Sequence, residues 1–281
     1  MAESTDKCLI SLNPADGSAL GFVETTTSCS IHDVVHRAQQ AQRQWAAVPA
    51  EQRAEMIEQG AAAIGNKAES LGALLSQETG RPIRAGLHEI RSIADSVARR
   101  CSDVVKAIAT EQHLGQDVES EVRHDPIGVC AVIAPADHPV AMAHRMIIPA
   151  LVAGNTVVVK PAPETPLISQ QIIALYQHFL PDGVLQLVQG GQEQGMQLVS
   201  ANVQLVAVTG STRTGKHIMA SAAFGLKRLI MALSGKDVMI VLKDADLEAA
   251  AKYAVESSCL LYTSDAADEH RDVVLGGGGG G

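Results

Sequence analysis

From Val129 onward the chain repeats one rhythm, in which short β-branched runs alternate with stretches of helical spacing. The runs are Val129–Ile133, Thr156–Val159, Val184–Val188, Val203–Val208 and Leu229–Met231. Helices are expected between them at about Val140–Val152, Leu167–Phe179, Glu193–Ser200 and Thr214–Ala223. Strands that are apolar throughout are strands buried on both faces, and parallel neighbours require a crossover, usually a helix. The rhythm therefore restricts this region to a three-layer α/β fold, a Rossmann-like parallel sheet with helices on both sides and right-handed crossovers. A further strand, Val238–Leu242, is expected to lead through Asp244-Ala-Asp-Leu into a last helix with Leu247, Ala250, Ala251, Ala254 and Val255 on one packing stripe.

The first third reads as a helical segment. Val34, Val35, Ala38, Ala41 and Trp45 recur at helical spacing until Pro49, and Ala50–Glu69 and Ser70–Gln77 continue in helix-forming residues. Thr79-Gly-Arg-Pro breaks the pattern before a long helix, Leu87–Ile108, with Ile90, Ile93, Ala94, Val97, Val104 and Val105 on one stripe. Glu119-Ser-Glu-Val-Arg-His alternates polar and apolar residues and is expected to be a short, half-exposed strand.

Composition narrows the possible functions. Of the 281 residues, 46% are hydrophobic and 19% charged, a globular balance whose core must rest on Ala, Val, Leu and Ile because aromatics are only 2%. Few aromatics, a net charge of -9 and no basic run argue against a nucleic-acid partner. The N-terminus lacks the charged and apolar regions of a secretory signal. The most apolar stretch, Val140–Ala153, is broken by His144 and Arg145 and is too short to span a membrane. Cys8, Cys29, Cys101, Cys130 and Cys259 show neither CxxC pairing nor histidine partners, which fits reduced thiols and no metal site. The expectation is a soluble cytoplasmic protein.

No GxGxxG follows any of these strands. Thr209-Gly-Ser-Thr-Arg-Thr-Gly-Lys instead stands where Val203–Val208 turns into a helix. Gly210 allows a tight turn there, Ser211 offers a hydroxyl, and the helix N-terminus offers N–H groups and positive dipole character to a pyrophosphate. Taken alone, the same residues read as an ordinary helix cap. Lys160 closes the Thr156–Val159 run just before Pro161. A cation at the carboxyl end of a parallel strand lies where ligands bind in open α/β sheets, although a solvated lysine also fits that position.

Asn13-Pro-Ala-Asp-Gly, Glu78-Thr-Gly-Arg-Pro, Pro126-Ile-Gly-Val, the segment Pro149 to Pro161, Val208-Thr-Gly-Ser-Thr, Leu233-Ser-Gly-Lys and Asp244-Ala-Asp-Leu fall in one order and spacing. Together they resemble the aldehyde dehydrogenase superfamily, from about residue 10 to Ser258. The resemblance implies NAD(P)-dependent oxidation of an aldehyde to a carboxylate. In the family a cysteine thiolate attacks the aldehyde, hydride passes to nicotinamide, and glutamate-activated water releases the acid. It also implies that Lys160 binds the adenosine ribose and Ser211 the pyrophosphate, with Pro135, Gly190 and Gly210 completing the cofactor positions. Pro163 stands where the family often has a ribose-gripping glutamate, with Glu164 next, so the choice between NAD and NADP stays open.

Several chemical positions depart from that pattern. Asp137 stands at the oxyanion-binding asparagine, Met146 at a common lysine and Ala232 at the water-activating glutamate. An ionised carboxylate cannot donate to an oxyanion, and an alanine cannot take a proton. Ala266 and Ala267 occupy the neighbourhood of the nucleophile, while Cys259 comes too early and lacks the flanking Gly-Gln. The expectation is therefore no catalytic residue in this chain. Residues 259–281 resemble a translated library adapter followed by a poly-glycine read and are expected to be a non-native, exposed tail, the other reading being a helix end with a flexible glycine tail.

Residues 1–258 are thus expected to hold the N-terminal helices, the NAD(P)-binding domain and the start of a catalytic domain. About 119–125 would be part of an arm that joins subunits of a homo-oligomer. Two functions follow. One is a truncated aldehyde dehydrogenase, itself inactive, whose intact parent binds the dinucleotide and an aldehyde. The other is a non-catalytic homologue with a nucleotide-binding or assembly role. A CoA-acylating variant is a weaker third.

Overall fold

The computed structural model of the protein describes residues 3–5, 8–114, 119–235 and 238–258. It opens with strands that the helical reading of the first third does not contain: β1 (Glu3–Thr5), β2 (Cys8–Leu12) and β3 (Ala19–Glu24) form an antiparallel sheet in that order. The signal was turn chemistry. In Asn13-Pro-Ala-Asp-Gly, the Asn13 side chain accepts the Ala15 N–H (3.0 Å), Asp16 accepts that of Ser18 (2.9 Å), and Gly17 takes φ 73°.

Four helices follow: α1 (Ser28–Ala47), α2 (Ala50–Asn66), α3 (Ala68–Thr79) and α4 (Ile83–Ala107). Pro49 stands at the junction between α1 and α2, and α3 stops at Gly80, whose left-handed φ of 70° ends the helix as the break in the sequence implies. Beyond them β4 (Glu111–Leu114) and β5 (Glu119–Val122) pair as an antiparallel hairpin. β5 is exposed along its whole length, so the expected half-burial is absent.

The rest is the expected α/β array: β6 (Val129–Ile133), α5 (Pro139–Val152), β7 (Thr156–Lys160), α6 (Pro166–Gln177), β8 (Leu185–Leu187), α7 (Gln192–Ser200), β9 (Leu205–Gly210), α8 (Thr212–Ala223) and β10 (Arg228–Leu233). The five strands are parallel, in the order β10-β9-β6-β7-β8. Strand alternation divides the core into two layers. Val132, Val157, Val159 and Ala207 face one side with α2–α6, whereas Val129, Ala131, Val158 and Val206 face the other with α1, α7 and α8. The N-terminal helices are thus part of the fold's layers, with α1 directly on the sheet and α2–α4 outside α5 and α6.

Three buried polar side chains tie this helical segment to the sheet domain. Trp45 Nε1 donates to Leu151 O (3.0 Å), and Arg53 Nε donates to Val152 O (2.8 Å), both at the end of α5. Glu78 closes the third tie. Its carboxylate accepts the Ser11 hydroxyl (2.7 Å) and the Leu167 and Ile168 N–H groups (2.9 and 2.8 Å) in the first turn of α6. Burial pushes its carboxyl upward, against those hydrogen bonds.

Two expectations fail at the far end. Val238–Leu242 forms no strand: no further strand pairs beyond β10 among the described residues, and Val238, Met239, Ile240 and Leu242 are exposed. A last helix, α9 (Leu247–Ser258), does form, with Asp246 Oδ1 accepting the Glu248 and Ala249 N–H groups (3.0 and 3.1 Å). Of its stripe, Leu247, Ala251 and Val255 are exposed, whereas Ala250 and Ala254 are half-buried. The tail from Cys259 onward lies outside the described residues.

The Glu78 tie yields a test. Glu78→Ala leaves three donors without their acceptor and should cost about 2–4 kcal/mol in urea denaturation. Glu78→Gln keeps an acceptor and should cost clearly less, since the folded state already disfavours the ionised carboxyl.

Candidate nucleotide-binding cleft

From β6 the chain steps outward through β7 to β8, then returns to the opposite flank of β6 with β9 and β10. Winding therefore reverses between β6 and β9, and crossovers leaving in opposite directions open a crevice at their carboxyl ends. A cleft of about 530 Å³ lies there, bordered by the ends of β6 (Ile133), β7 (Lys160) and β9 (Thr209 and Gly210) and by α7 and α8.

Lys160 is the last residue of β7, paired in register with Ile133, and it is only 5% exposed while bordering the cleft. Burial depresses its ammonium to about 8, with Glu164 pulling the other way. The side chain makes no hydrogen bond or ion pair among the described residues. A cation removed from water without a fixed counter-charge is costly to the fold, and an anion entering the cleft relieves that cost. Gly195 leaves room over the lysine stem: a Cβ there would sit 3.9 Å from Lys160 Cδ.

The other expected cofactor residues divide. Pro135 and Gly210 border the cleft with Lys160, as does Pro163. Gly190 does not. It holds φ 148°, where a side chain would come within 2.4 Å of Gln194 Cγ, and so sets the turn that brings Gly191, the first residue before α7, to the wall. Ser211 also lies outside the lining. It is the cap of α8, its Oγ accepting the Thr214 N–H at 3.1 Å, so the plain capping reading is present in the structure. Glu164 is exposed and does not border the cleft.

The chemical positions are arranged differently. Ala232 lies exposed on β10, opposite Thr209 in register. Met146 faces a second, mainly apolar cavity of about 230 Å³ beside Ile230, and Thr209 Oγ1 donates to its sulfur at 3.8 Å. Asp137 is exposed, its Oδ1 accepting the His138 N–H (3.0 Å). Cys101 and Cys130 are buried, and desolvation pushes both thiols up to about 12, where almost no thiolate forms near neutral pH. No cysteine borders the cleft among the described residues, and Cys259 lies outside them.

One network was not legible in the sequence. Glu89, buried in α4, receives Arg81 (2.6 Å), His138 Nδ1 (3.1 Å) and the Val140 and Ala141 N–H groups (3.2 and 2.9 Å) at the start of α5. Burial, the largest influence, raises its carboxyl, yet the hydrogen bonds from His138, Ala141 and Arg81 and the arginine charge together hold it below the usual range. Arg81 also donates to the Asp137 carbonyl (3.2 Å). The segment from Pro135 to Pro139 is thus held by an ion pair that joins a loop and two helices. Only Arg81's place in Glu78-Thr-Gly-Arg-Pro hinted at it.

A parallel sheet whose winding reverses above a cleft with a buried cation defines a Rossmann-like α/β protein. The chain belongs to the aldehyde dehydrogenase family, whose profile it matches over residues 1–263, five residues beyond the end of the motif resemblance at Ser258. It is similar to a betaine aldehyde dehydrogenase of Vibrio vulnificus (32% identical, covering 92% of this chain and 54% of that protein). It is also similar to a 3,6-anhydro-alpha-L-galactose dehydrogenase of Vibrio sp. strain EJY3 (35% identical, 88% and 52%). A solved lactaldehyde dehydrogenase superposes with a TM-score of 0.85 at 29% identity, covering 92% of this chain and 55% of that one. An NADP-dependent glyceraldehyde-3-phosphate dehydrogenase from Bacillus halodurans, complexed with NADP, gives 0.83 at 28% identity (90% and 54%). The chain spans about half the length of the curated relatives it matches.

If Lys160 serves a ligand at the expense of the fold, removing it should stabilise the ligand-free protein. Lys160→Met should raise stability near neutral pH by about 3 kcal/mol, the free energy separating a lysine pKa of about 8 from 10.5. The folded pKa lies below the unfolded one, so the unfolded chain binds the extra proton between those values. Wild-type stability should therefore climb as pH rises from about 8 towards 10.5, and the gap to the variant should close. Denaturation midpoints measured across that range check both.

Proposed function

We propose that this chain forms the nucleotide-binding half of an NAD(P)-dependent aldehyde dehydrogenase and that the chain itself does not turn over aldehyde. The observation that supports binding is the buried, unpaired Lys160 at the carboxyl end of β7, facing a cleft at the reversal of the sheet. Family membership and a neighbour complexed with NADP support the cofactor class.

In this reading Lys160 holds an anionic or hydroxyl-bearing part of the dinucleotide. Gly210 borders the cleft beside the start of α8, where a Cβ would meet no atom within 4 Å. Apolar Ile133, Pro135 and Pro163 border the cleft. The bound group would supply a two-electron acceptor. Residues 1–258 make up the helical segment, the nucleotide-binding domain and the start of a catalytic domain. The hairpin β4–β5, which displays its described side chains to solvent, serves as part of a subunit-joining arm in a homo-oligomeric, cytoplasmic parent. No helix among the described residues is long and apolar enough to cross a membrane.

The second reading, a non-catalytic homologue that keeps nucleotide binding or an assembly role, is favoured by Asp137 and Ala232. Neither can donate to an oxyanion or activate water in the way the resemblance requires. Calorimetric titration with NAD+ and NADP+, followed by an assay for reduced nicotinamide with simple aldehydes, tests both readings. The chain should bind dinucleotide, Lys160→Ala should weaken binding by about 1–3 kcal/mol, the scale of a charge-assisted hydrogen bond, and no aldehyde should be oxidised. Sustained turnover abolished by Cys259→Ser would contradict the inactive chain, and wild-type affinity in Lys160→Ala would contradict the site.

A further inference from the structure

We infer that His138 is a positioning residue for the cleft: held by the Glu89–Arg81 ion pair, it fixes the loop that carries Ala134 and Pro135 and so sets how tightly the cleft binds dinucleotide. The inference rests on the cleft being a dinucleotide site. None of His138, Glu89 and Arg81 borders the cleft, whereas Ala134 and Pro135 both do. The effect therefore passes through the backbone of the loop.

That loop joins β6 to α5 and is anchored at its two ends. At the first, the Ala134 N–H donates to the carbonyl of Lys160 (3.1 Å), so the loop starts from the strand end that carries the buried cation. At the other, Arg81 donates to the Asp137 carbonyl (3.2 Å), His138 Nδ1 meets Glu89 Oε2 at 3.1 Å, and Glu89 Oε1 accepts the Val140 and Ala141 N–H groups. An ionised carboxylate only accepts, which assigns the proton of the histidine contact to Nδ1. Arg81 also stands 3.4 Å from Nδ1 but meets Glu89 at 2.6 Å. Pro135 and Pro139 have no N–H to donate, so side chains from α4 and the turn before it supply anchoring that a regular element draws from its own backbone. Arg81 and Glu89 are buried, whereas His138 is half-buried and is the contact on the loop itself. A wall fixed before the ligand arrives leaves less to order on binding, and a loosened wall returns that cost as lost affinity.

The test is calorimetric titration of the full 281-residue chain and its variants with NAD+ and with NADP+, well below each variant's melting temperature. His138→Leu keeps apolar bulk and removes the donor, and it should weaken dinucleotide binding roughly three- to tenfold. His138→Asn places an amide nitrogen near the position of Nδ1 and should restore most of the affinity. Pro135→Gly should weaken binding too, and His138→Leu added to it should cost little more, because both act on one loop. A purely structural role would lower the melting temperature and leave the affinity of the folded protein unchanged. Wild-type affinity in His138→Leu, or fully additive losses in the double variant, would overturn the inference and leave the dinucleotide site standing. Binding of neither dinucleotide by the wild type would overturn both.

Discussion

The arrangement depends on a lysine that is buried without a hydrogen bond or ion pair among the described residues. Lys160 ends a central strand whose other residues are all apolar or hydroxyl-bearing and buried, and its ammonium follows them into the protein. Hydrophobic layers on both faces of β7 fix the strand and with it the backbone of Lys160, in register with Ile133. The depressed pKa, to about 8, expresses that constraint. The reversal of the sheet opens the cleft that Lys160 borders, and no acid borders it among the described residues.

A buried charge requires a rigid frame, and the N-terminal segment supplies part of it. Trp45, Arg53 and Glu78 each satisfy backbone groups at helix ends in the sheet domain, where unpaired groups would otherwise be costly. Glu89 does the same for α5 and adds Arg81 and His138, so the loop leading out of β6 is set by a charge pair from the helical segment. Helical segment and sheet domain are therefore packed together, and Glu89 of α4 reaches the loop that carries Pro135 of the cleft wall.

Much of this was legible in the residue pattern because burial on both faces writes itself into a strand. All five sheet strands lie where continuous β-branched runs predicted, and Lys160 closes its strand as expected. The opening antiparallel sheet was missed because its signal is a turn, Asn13 to Gly17, not a run. Val238–Leu242 shows the opposite failure: a β-branched run has strand propensity, but without a partner it gains no ladder and stays irregular. The site divides along the same line. Residues fixed by backbone geometry, such as Lys160 and Gly210, could be placed from spacing. That Ser211 caps α8 and that Gly190 shapes a turn required coordinates. The Glu89 network brings together residues from α4, α5 and two loops, and no local period encodes that.

The proposed reading is a cleft that binds without reacting: no cysteine borders it among the described residues, Ala232 has no ionisable group, and both buried thiols are held protonated. That separation of binding from reaction is the central claim, and a crystal structure of the chain grown with dinucleotide tests it most directly. Density for the adenosine and pyrophosphate should fill the cleft between β6, β7 and β9, with the Lys160 ammonium within hydrogen-bond distance of the ligand. A dinucleotide bound elsewhere, or an occupied cleft in which Lys160 turns away to pair with Glu164, would contradict it.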